Sequence, residues 1–418
     1  MILFGKIVIY LLLAYTLFSY IRVEKFIKKA VESKNNIKNS YTNESKIVIA
    51  IPVLREQNCI GDTVKYLREI NNNIPIILIT TQKEIKENIN NEKTTQEIIK
   101  EQILDKYNEI YCINYPYTEG YMADQLNYML DNIENILNKK INLEDTYLAL
   151  YNADSRPSKK TFDEALMKIN EGNKVIQQYS YCMQNYEKLN NILKGFSIYQ
   201  SNFEIKTGLI NTYLKSEILY THVVGHGLFI NLQILKELGN FTTKFWCEDI
   251  YLGLQLKFND IKIIPLLNLE NMETPQSLTS LTKQNAVWFK TTSQFYKIYK
   301  DILKTGQTKR KLKGLLGVFN EFRCAINWLM FPIIILLAIL GLLYTQQYIL
   351  LIMFLITYLL YVFVNTISTI KVINTLDDKK YKVNIKMLIN VLVATSLSNI
   401  GPIYSIIMNK KEKYKTER

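Results

Sequence analysis

The sequence predicts a mixed α/β fold, in which a doubly wound, mostly parallel sheet domain is flanked by transmembrane helices. In the central region, short apolar runs rich in β-branched residues alternate with stretches whose apolar residues recur at helical spacing. This alternation is typical of a parallel sheet covered by helices on both faces. Towards both ends of the 418-residue chain, apolar stretches are long enough, or nearly so, to cross about 30 Å of hydrocarbon.

The bulk composition excludes several classes of protein. The formal net charge of +13 does not indicate nucleic-acid binding, because the excess lies largely beside apolar stretches, where it suits anionic lipid headgroups. The five cysteines lie far apart without a C-x-x-C pair, which argues against a disulfide framework or a zinc site and fits reduced cytosol. A membrane transporter would need more spans and a smaller soluble domain.

The first element, residues 1–22, is predicted to be a retained transmembrane signal anchor. Ile7 to Ile21 is almost purely apolar and is followed at once by Arg22 and three lysines. A cleaved signal peptide is the alternative, but the small-residue cleavage pattern is missing. Because basic residues mark the cytoplasmic side, we expect the chain after this anchor to lie in the cytosol.

Residues 23–45 are interpreted as a polar linker, and residues 46–290 as the sheet domain. Buried strands are predicted at Lys46–Ile51, Ile74–Thr80, Ile110–Ile113 and Thr146–Tyr151, with amphipathic helices at Ile60–Leu67, Thr95–Tyr107 and Leu126–Leu137. In a doubly wound sheet, ligands bind at the carboxyl ends of the strands. The residues after the first and fourth strands are therefore expected to open into one crevice.

The C-terminal part is predicted to return to the membrane. Residues 291–324 form an interfacial amphipathic region, followed by transmembrane helices at 325–343 and 347–370 and a lysine-rich loop. Residues 385–409 form a transmembrane or re-entrant helix, bent at Gly401 and Pro402. Because the tail, residues 410–418, is basic, the re-entrant form agrees better with a cytosolic tail.

Two acidic motifs are candidates for chemistry. Asn152 and Asp154 follow the fourth strand, and in extended geometry both side chains would point to the same side. Such oxygen ligands suit Mg²⁺ or Mn²⁺ beside a diphosphate, although an Asx turn before Pro157 would explain them equally well. Glu248 and Asp249 open an apolar segment, where they would either stabilise a helix N-terminus or act in proton transfer.

A third candidate is Gln284 with Trp288, shortly before the membrane. An indole can stack on a sugar ring while the amide hydrogen-bonds hydroxyls, but a tryptophan here would also suit a membrane interface. His222 and His226 stand four residues apart, yet Gly225 disfavours a regular helix and no acidic residue lies between them as in a zincin. A zinc site is therefore disfavoured against structural use or an acceptor-side role for His226.

In this order, the motifs resemble those of the family 2 glycosyltransferases, which share the GT-A fold. Ile51-Pro-Val-Leu-Arg-Glu56 resembles the opening strand and donor loop, Gly120 to Asn127 the Gly-Lys-Ala-x-Ala-Leu-Asn segment, and Asn152-Ala-Asp154 the Asp-x-Asp metal motif. Gly225 to Ile230 takes the place of the glycine-rich segment near the acceptor, Glu248-Asp249 that of the acidic pair, and Gln284 to Trp288 that of the Gln-x-x-Arg-Trp motif.

The resemblance implies inverting sugar transfer from a nucleotide-diphosphate sugar, expected to be UDP-linked, to a lipid-linked or polysaccharide acceptor at the cell membrane. It implies Asp249 as the catalytic base and Asp154 as the ligand of Mg²⁺ or Mn²⁺. Donor binding would involve Pro52, Val53, Glu56, Asn152 and Asp154, and acceptor binding Glu248, His226, Gln284 and Trp288.

The departures from the family pattern keep two alternatives open. Asn152 replaces the first Asp of the metal motif, Thr80-Thr81 stands where many relatives carry an acidic base-reading residue, and Val287 replaces the Arg of the last motif. Tyr121-Met122 stands where the family's segment carries a Lys. Together with Val287, this departure argues against a processive enzyme. The alternatives are transfer of one sugar to a polyprenyl phosphate and a non-catalytic partner subunit of a polysaccharide synthase.

Overall fold

A computed structural model gives the fold of the chain. It describes residues 2–34, 46–71, 73–87, 92–214, 223–306 and 308–407. Of the sequence predictions, residues 35–45 of the linker, His222 and the basic tail lie outside these ranges.

The sheet domain lies between the first long helix and the C-terminal helices. Its described strands are β1 (Ile47–Pro52), β2 (Ile76–Thr81), β3 (Ile110–Tyr115), β4 (Tyr147–Leu150), β5 (Val175–Gln177), β6 (Ser180–Tyr181), β7 (Leu228–Asn231), β8 (Ile264–Pro265) and β9 (Glu270–Asn271). The helices up to the domain's end are α1 (Ile2–Lys34), α2 (Ile60–Ile70), α3 (Gln82–Lys86), α4 (Thr95–Gln102), α5 (Met122–Asp131), α6 (Ile133–Leu137), α7 (Lys159–Asn170), α8 (Asn191–Asn202), α9 (Asn211–Tyr213), α10 (Leu232–Glu237) and α11 (Glu248–Phe258). The remaining helices are α12 (Leu278–Thr292), α13 (Phe295–Lys304), α14 (Lys311–Tyr344), α15 (Tyr348–Leu376), α16 (Ile385–Ser396) and α17 (Ile400–Ile407).

Seven strands form one sheet in the order β3-β2-β1-β4-β7-β5-β8. The pairs among β3, β2, β1 and β4 are parallel, whereas β7 runs antiparallel to both β4 and β5. The prediction of a mostly parallel α/β sheet is therefore confirmed. Because the antiparallel β7 lies beside β4, the residues just before β7 return to the carboxyl end of β4, where the functional residues are expected.

The sheet is buried on both faces because alternate residues of each strand enter different cores. Ile47, Ile49 and Ile51 pack with α2 and α7, while Val48 and Ala50 pack with α5, α10 and α11. This arrangement explains why the strands read as continuous apolar runs. The predicted helix at Leu126–Leu137 is in fact two helices, α5 and α6, which meet at Asn132.

Within the part of the chain that the structure describes, four helical segments are long and apolar enough to cross a membrane: Ile2–Lys34, Lys311–Tyr344, Tyr348–Leu376 and Ile385–Ile407. At 1.5 Å per residue, the 33 residues of α1 and the 34 of α14 would each exceed the hydrocarbon thickness by about 20 Å. The first part of the predicted linker is therefore helical, and the end of the predicted interfacial region is continuous with the span of α14. Lys371 of α15 pairs with Glu24 of α1 at 2.6 Å, where both helices approach the sheet domain.

The last apolar segment is interrupted at residues 397–399, between α16 and α17. The indole N–H of Trp328 donates to the carbonyl of Ser398 at 2.8 Å, and Asn399 donates to the carbonyl of Leu329 at 3.1 Å. These bonds tie the interruption to α14. We expected the bend at Gly401 and Pro402, but Pro402 lies in the first turn of α17, where its missing N–H has no cost.

A helix of unusual geometry connects the sheet domain with the apolar helices. The helix α8 continues into a π-helical stretch, Phe203–Ile210, and then into α9. Arg22 of α1 donates to Asn211 at 2.6 Å, and Thr369 of α15 donates to Asn202 at 2.8 Å. π-helical geometry is rare and frequently occurs at functional sites.

Candidate active site

One large cavity of about 1850 Å³ opens at the carboxyl ends of β1, β2, β3 and β4. It is lined by every residue that the sequence singled out for the site: Pro52, Val53, Glu56, Asn152, Asp154, His226, Glu248, Asp249, Gln284 and Trp288. The crevice expected from the strand order is therefore present, and it joins the proposed donor and acceptor residues in one space.

The loop after β1 is held by a buried carboxylate that sequence reasoning missed. Glu84 of α3 accepts hydrogen bonds from the backbone N–H of Arg55 at 2.9 Å and from the backbone N–H of Thr95 at 2.7 Å. Arg55 has a φ of 56°, a left-handed conformation that a non-glycine residue adopts only when its surroundings enforce it. Glu84 therefore fixes the shape of the loop that carries Pro52, Val53 and Glu56, and the side chain of Glu84 does not line the cavity.

The Asn152-Ala-Asp154 motif forms a turn. The strand β4 ends at Leu150, and Ser155 closes the turn by donating its N–H to the carbonyl of Asn152 at 3.1 Å while its hydroxyl accepts from the N–H of Asn152 at 3.1 Å. The expectation of an extended segment was wrong, because the chain turns at once towards α7. Asn152 and Asp154 are nonetheless both half-buried and both line the cavity.

Residues 225–227 join the end of β4 to the start of α11. Gly225 donates its N–H to Oδ2 of Asp249 at 3.0 Å, and Gly227 donates its N–H to the carbonyl of Leu150 at 2.7 Å. Gly227 has a φ of +63°, and a Cβ there would lie 2.8 Å from the backbone oxygen of Gln178. Only glycine satisfies both the conformation and this close approach.

Between the two glycines, His226 is buried against Glu270 of β9. Nδ1 of His226 lies 3.2 Å from Oε2 of Glu270, whose other oxygen accepts from the N–H of Arg156 at 2.9 Å. Burial by itself lowers the pKa of His226, but the hydrogen bond and charge of Glu270, helped by Glu204 and Asp154, outweigh burial and raise the pKa above its ordinary value. His226, which was predicted for the acceptor side, therefore holds a proton more readily than a free imidazole does, and it lies close to Asp154.

Glu248 and Asp249 occupy the first turn of α11, so the electrostatic role at a helix N-terminus applies to both. Glu248 is buried and Asp249 half-buried, and both face the cavity. The N–H of Gly225 holds one oxygen of Asp249, and the N–H of Ile250 holds the other at 2.8 Å. The carboxylate is therefore fixed in orientation by two backbone groups and does not depend on a flexible partner.

Aromatic and amide side chains cover the opposite wall. All three tryptophans of the chain, Trp246, Trp288 and Trp328, line this one cavity. Trp288 is 42% exposed, and Lys290 lies over the ring of Trp246 at 4.2 Å. Oε1 of Gln284 is buried and accepts no hydrogen bond from the residues that the structure describes, so it can accept one from a ligand hydroxyl.

The donor set fits a divalent cation that shares its ligands with a diphosphate. Across the described ranges, no group of three or more His, Cys, Asp and Glu side chains forms a closed metal site. Mg²⁺ and Mn²⁺ typically use one or two carboxylates and take their other ligands from phosphates and water. Asp154, half-buried and facing the cavity, suits this mode of binding, with Asn152 beside it.

The comparisons with known proteins show the fold. No family model matches the sequence, and no curated protein matches it. Among solved structures, the chain is similar to a mannosyltransferase from Pyrobaculum calidifontis in complex with GDP-Man and Mn²⁺. The two chains are 8% identical and superpose with a TM-score of 0.50 over 97% of this chain and 100% of the other.

This chain has a glycosyltransferase fold. The likeness extends over nearly the whole length of both chains, so it includes the long apolar helices as well as the sheet domain. At 8% identity, this likeness does not identify which side chains of this protein take part in a reaction. The candidates are the residues around Asp154 and Asp249 that line the cavity.

Proposed function

We propose that this protein is a membrane glycosyltransferase that moves a sugar, with inversion, from a nucleotide-diphosphate sugar to a lipid-linked or polysaccharide acceptor. The observation that carries the proposal is the large cavity that joins the residues after β1 and β4 to the fixed carboxylate of Asp249. A glycosyltransferase fold with this arrangement brings a donor diphosphate and an acceptor nucleophile to one place.

On the donor side, the backbone of Pro52 and Val53 and the side chains of Glu56 and Asn152 line the space for the nucleotide. Asp154 would hold Mg²⁺ or Mn²⁺ together with the diphosphate oxygens. When bound, the cation supplies charge neutralisation for the leaving diphosphate. His226, whose pKa is raised by Glu270, lies close to Asp154 and lines the same cavity.

On the acceptor side, Asp249 takes the proton from the attacking hydroxyl as the new glycosidic bond forms. Its two backbone hydrogen bonds hold the carboxylate in place before the acceptor arrives, so little reorganisation is needed during reaction. Gln284 and Trp288 orient the acceptor saccharide, the amide oxygen by a hydrogen bond and the indole by stacking. Glu248 lines the same wall.

The proposal is tested with the full chain in nanodiscs, incubated with a panel of nucleotide sugars and Mn²⁺. The panel includes UDP- and GDP-linked hexoses, because the resemblance and the solved structure suggest different nucleotides. We expect release of the matching nucleoside diphosphate with one donor, and loss of release with Asp154→Asn. If no donor yields nucleoside diphosphate, even with extracted membrane lipids present, the non-catalytic subunit is favoured instead.

A further inference from the structure

The cavity does not end at the sheet domain, because it continues between the apolar helices. Its far end is lined by Tyr15, Phe18 and Arg22 of α1 and by Arg323 of α14. Tyr15 and Phe18 are 52% and 53% exposed, so this end reaches the outer surface of α1. In a bilayer, such side chains would face lipid, and the cavity would open sideways into the membrane.

In a bilayer, the charged groups at this end would lie at the depth of lipid headgroups. Arg22 comes directly after the apolar stretch Ile7–Ile21, and Arg323 comes just before the apolar stretch that begins at Ala325. Both arginines lie where their helices meet the sheet domain, so they share one boundary of the bilayer. Arginines at such a boundary usually face water or ordinary headgroups, whereas these two line the cavity that holds Asp154 and Asp249.

A third cation lies deeper in the same space. Lys206, on the π-helical stretch outside the four candidate spans, donates to Ser19 of α1 at 3.1 Å and to the side-chain oxygen of Asn365 of α15. Burial lowers its pKa to about 7, and both contacts are with neutral oxygens. An anion beside this ammonium group would favour its charged form. Glu204 and Glu321 also line the cavity, so the local charge is mixed.

We propose that Arg22, Arg323 and Lys206 bind the phosphate of a lipid-linked acceptor that enters the cavity sideways from the bilayer. This inference rests on the proposed function and narrows its acceptor from a lipid-linked or polysaccharide acceptor to one that is carried on a lipid phosphate. The guanidinium groups contact the phosphate oxygens at headgroup depth, the lipid tail leaves past Tyr15 and Phe18, and the reacting end points towards Asp249. Arginine suits this role because its planar donors match phosphate geometry.

The experiment measures binding of geranylgeranyl phosphate, and of the uncharged geranylgeraniol, to the full chain in phosphatidylcholine nanodiscs. No sugar donor is present, and the tryptophan fluorescence is the signal because all three tryptophans line the cavity. We expect geranylgeranyl phosphate to bind at least about 10-fold more tightly than geranylgeraniol, because only the phosphate forms charge-assisted hydrogen bonds with the arginines. Inorganic phosphate and phosphatidylglycerol should compete only at far higher concentrations.

Arg22→Gln and Arg323→Gln should each weaken binding of geranylgeranyl phosphate by about 10-fold and leave geranylgeraniol binding unchanged. Lys25→Gln is the matched control, because Lys25 is exposed on the same helix one turn on and does not line the cavity. The two arginines lie on different helices, so misfolding of one variant, checked by thermal unfolding, leaves the other as a test.

Several outcomes would overturn the proposal: equal binding of the alcohol, equal competition by phosphatidylglycerol, equal competition by inorganic phosphate, or a Lys25→Gln effect as large as that of Arg22→Gln. Equal binding of the alcohol would indicate a purely apolar groove, and equal competition by phosphatidylglycerol an ordinary lipid site. Equal competition by inorganic phosphate would indicate a site for free anions. A large Lys25→Gln effect would indicate general attraction of basic residues to headgroups. Failure of the donor panel with selective phosphate binding would instead reject the proposed transfer and keep this site.

Discussion

At the residue scale, the carboxylate of Asp249 is held in a fixed position inside the cavity. Its oxygens accept N–H groups from Gly225 and Ile250, and it lies in the first turn of α11. Asp249→Asn keeps the shape of the side chain and removes its ability to take a proton. We expect the transfer rate to fall by about 100-fold or more while donor affinity is unchanged. The rate is measured as nucleoside diphosphate release at saturating donor and acceptor.

A normal rate in Asp249→Asn would reject the base and favour an acceptor that is already anionic, such as a lipid phosphate acting as the nucleophile itself. Glu237→Gln is a matched control, since Glu237 lies at the end of α10 away from the cavity. The variant therefore decides between a hydroxyl and a phosphate as the attacking group.

Asp154 gives a second test at the residue scale. If it shares a divalent cation with the donor, Asp154→Asn should weaken nucleoside diphosphate binding in Mn²⁺ by about 10-fold or more, because a metal ligand is lost. In EDTA the variant and the parent should bind alike. Calorimetric titration of nucleoside diphosphate in both buffers measures the difference, and an equal loss in EDTA would argue against the metal role.

Lys206 provides a pH-dependent prediction. Burial lowers its pKa from 10.5 to about 7, so between these values the unfolded chain binds more protons than the folded one. The free energy of unfolding therefore rises with pH through this window. It reaches its full value above pH 10.5, where Lys206 is neutral in both states. It is lowest below a pH of about 7, where Lys206 is charged in both states. Relative to Lys206→Met, the parent should gain about 2 kcal/mol between pH 7 and pH 9.

Thermal unfolding in detergent at the two pH values measures this difference. Lys25→Met, an exposed lysine of α1, is the control and should show no such change. A difference between parent and Lys206→Met that does not vary with pH would mean that the ammonium group is solvated in the folded protein.

At the scale of elements, close contacts between helices hold the sheet domain against the apolar segments. Gly195 of α8 faces α16 so closely that a Cβ would lie 2.0 Å from the backbone oxygen of Asn390. The broken helix pair α16–α17 is thus packed on the domain at one end and tied to α14 by Trp328 and Asn399 at its interruption. Each helix of the pair is too short to cross about 30 Å of hydrocarbon alone.

Gly195→Ala tests this packing. Because the new methyl group would meet backbone, α8 and α16 must move apart, and we expect a loss of about 1 to 3 kcal/mol. Gly61→Ala is the control, since nothing lies within 4 Å of a Cβ there. On helix α2 it should be neutral or stabilising by about 0.5 to 1 kcal/mol. If thermal unfolding shows equal stability for both variants, the close approach of α8 and α16 is not required for the fold.

At the scale of the whole molecule, orientation across the membrane decides where the substrates come from. The basic residues after the first apolar stretch predict that the sheet domain lies in the cytosol. The turn at residues 345–347 between α14 and α15 should then lie outside, and Asp378, after α15, should lie inside.

Single cysteines introduced at Gln346 and Asp378 test the orientation with a maleimide that does not cross membranes. In intact cells we expect labelling at position 346 and protection at 378, with both labelled after lysis, and the parent chain gives the background of the native cysteines. A cysteine at Ile407 reports on the last segment: protection supports a re-entrant pair, whereas labelling supports a complete crossing. Labelling at position 378 alone would show that the chain crosses the membrane in the opposite orientation.

The sequence by itself determined β1 to β4, which are four of the nine described strands, together with α1, α2, α4 and the apolar C-terminal segments. Continuous apolar runs and helical periodicity are local patterns, so β1, β2 and β4 were predicted within two residues at each end, and the apolar stretches were found by length alone. The alternation of strands and helices then predicted that Asp154 and Glu56 open into one crevice, because ligands bind where parallel strands end.

Only the tertiary structure decided how these residues meet. Glu270 reaches Arg156 from 114 residues away, and Lys206 reaches Asn365 from 159 residues away. Such contacts leave no periodic trace in a sequence, because they depend on how elements pack. For the same reason the turn at Asn152, the clamp of Glu84 on the β1 loop, and the continuation of the cavity to Arg22 and Arg323 became visible only in the folded chain.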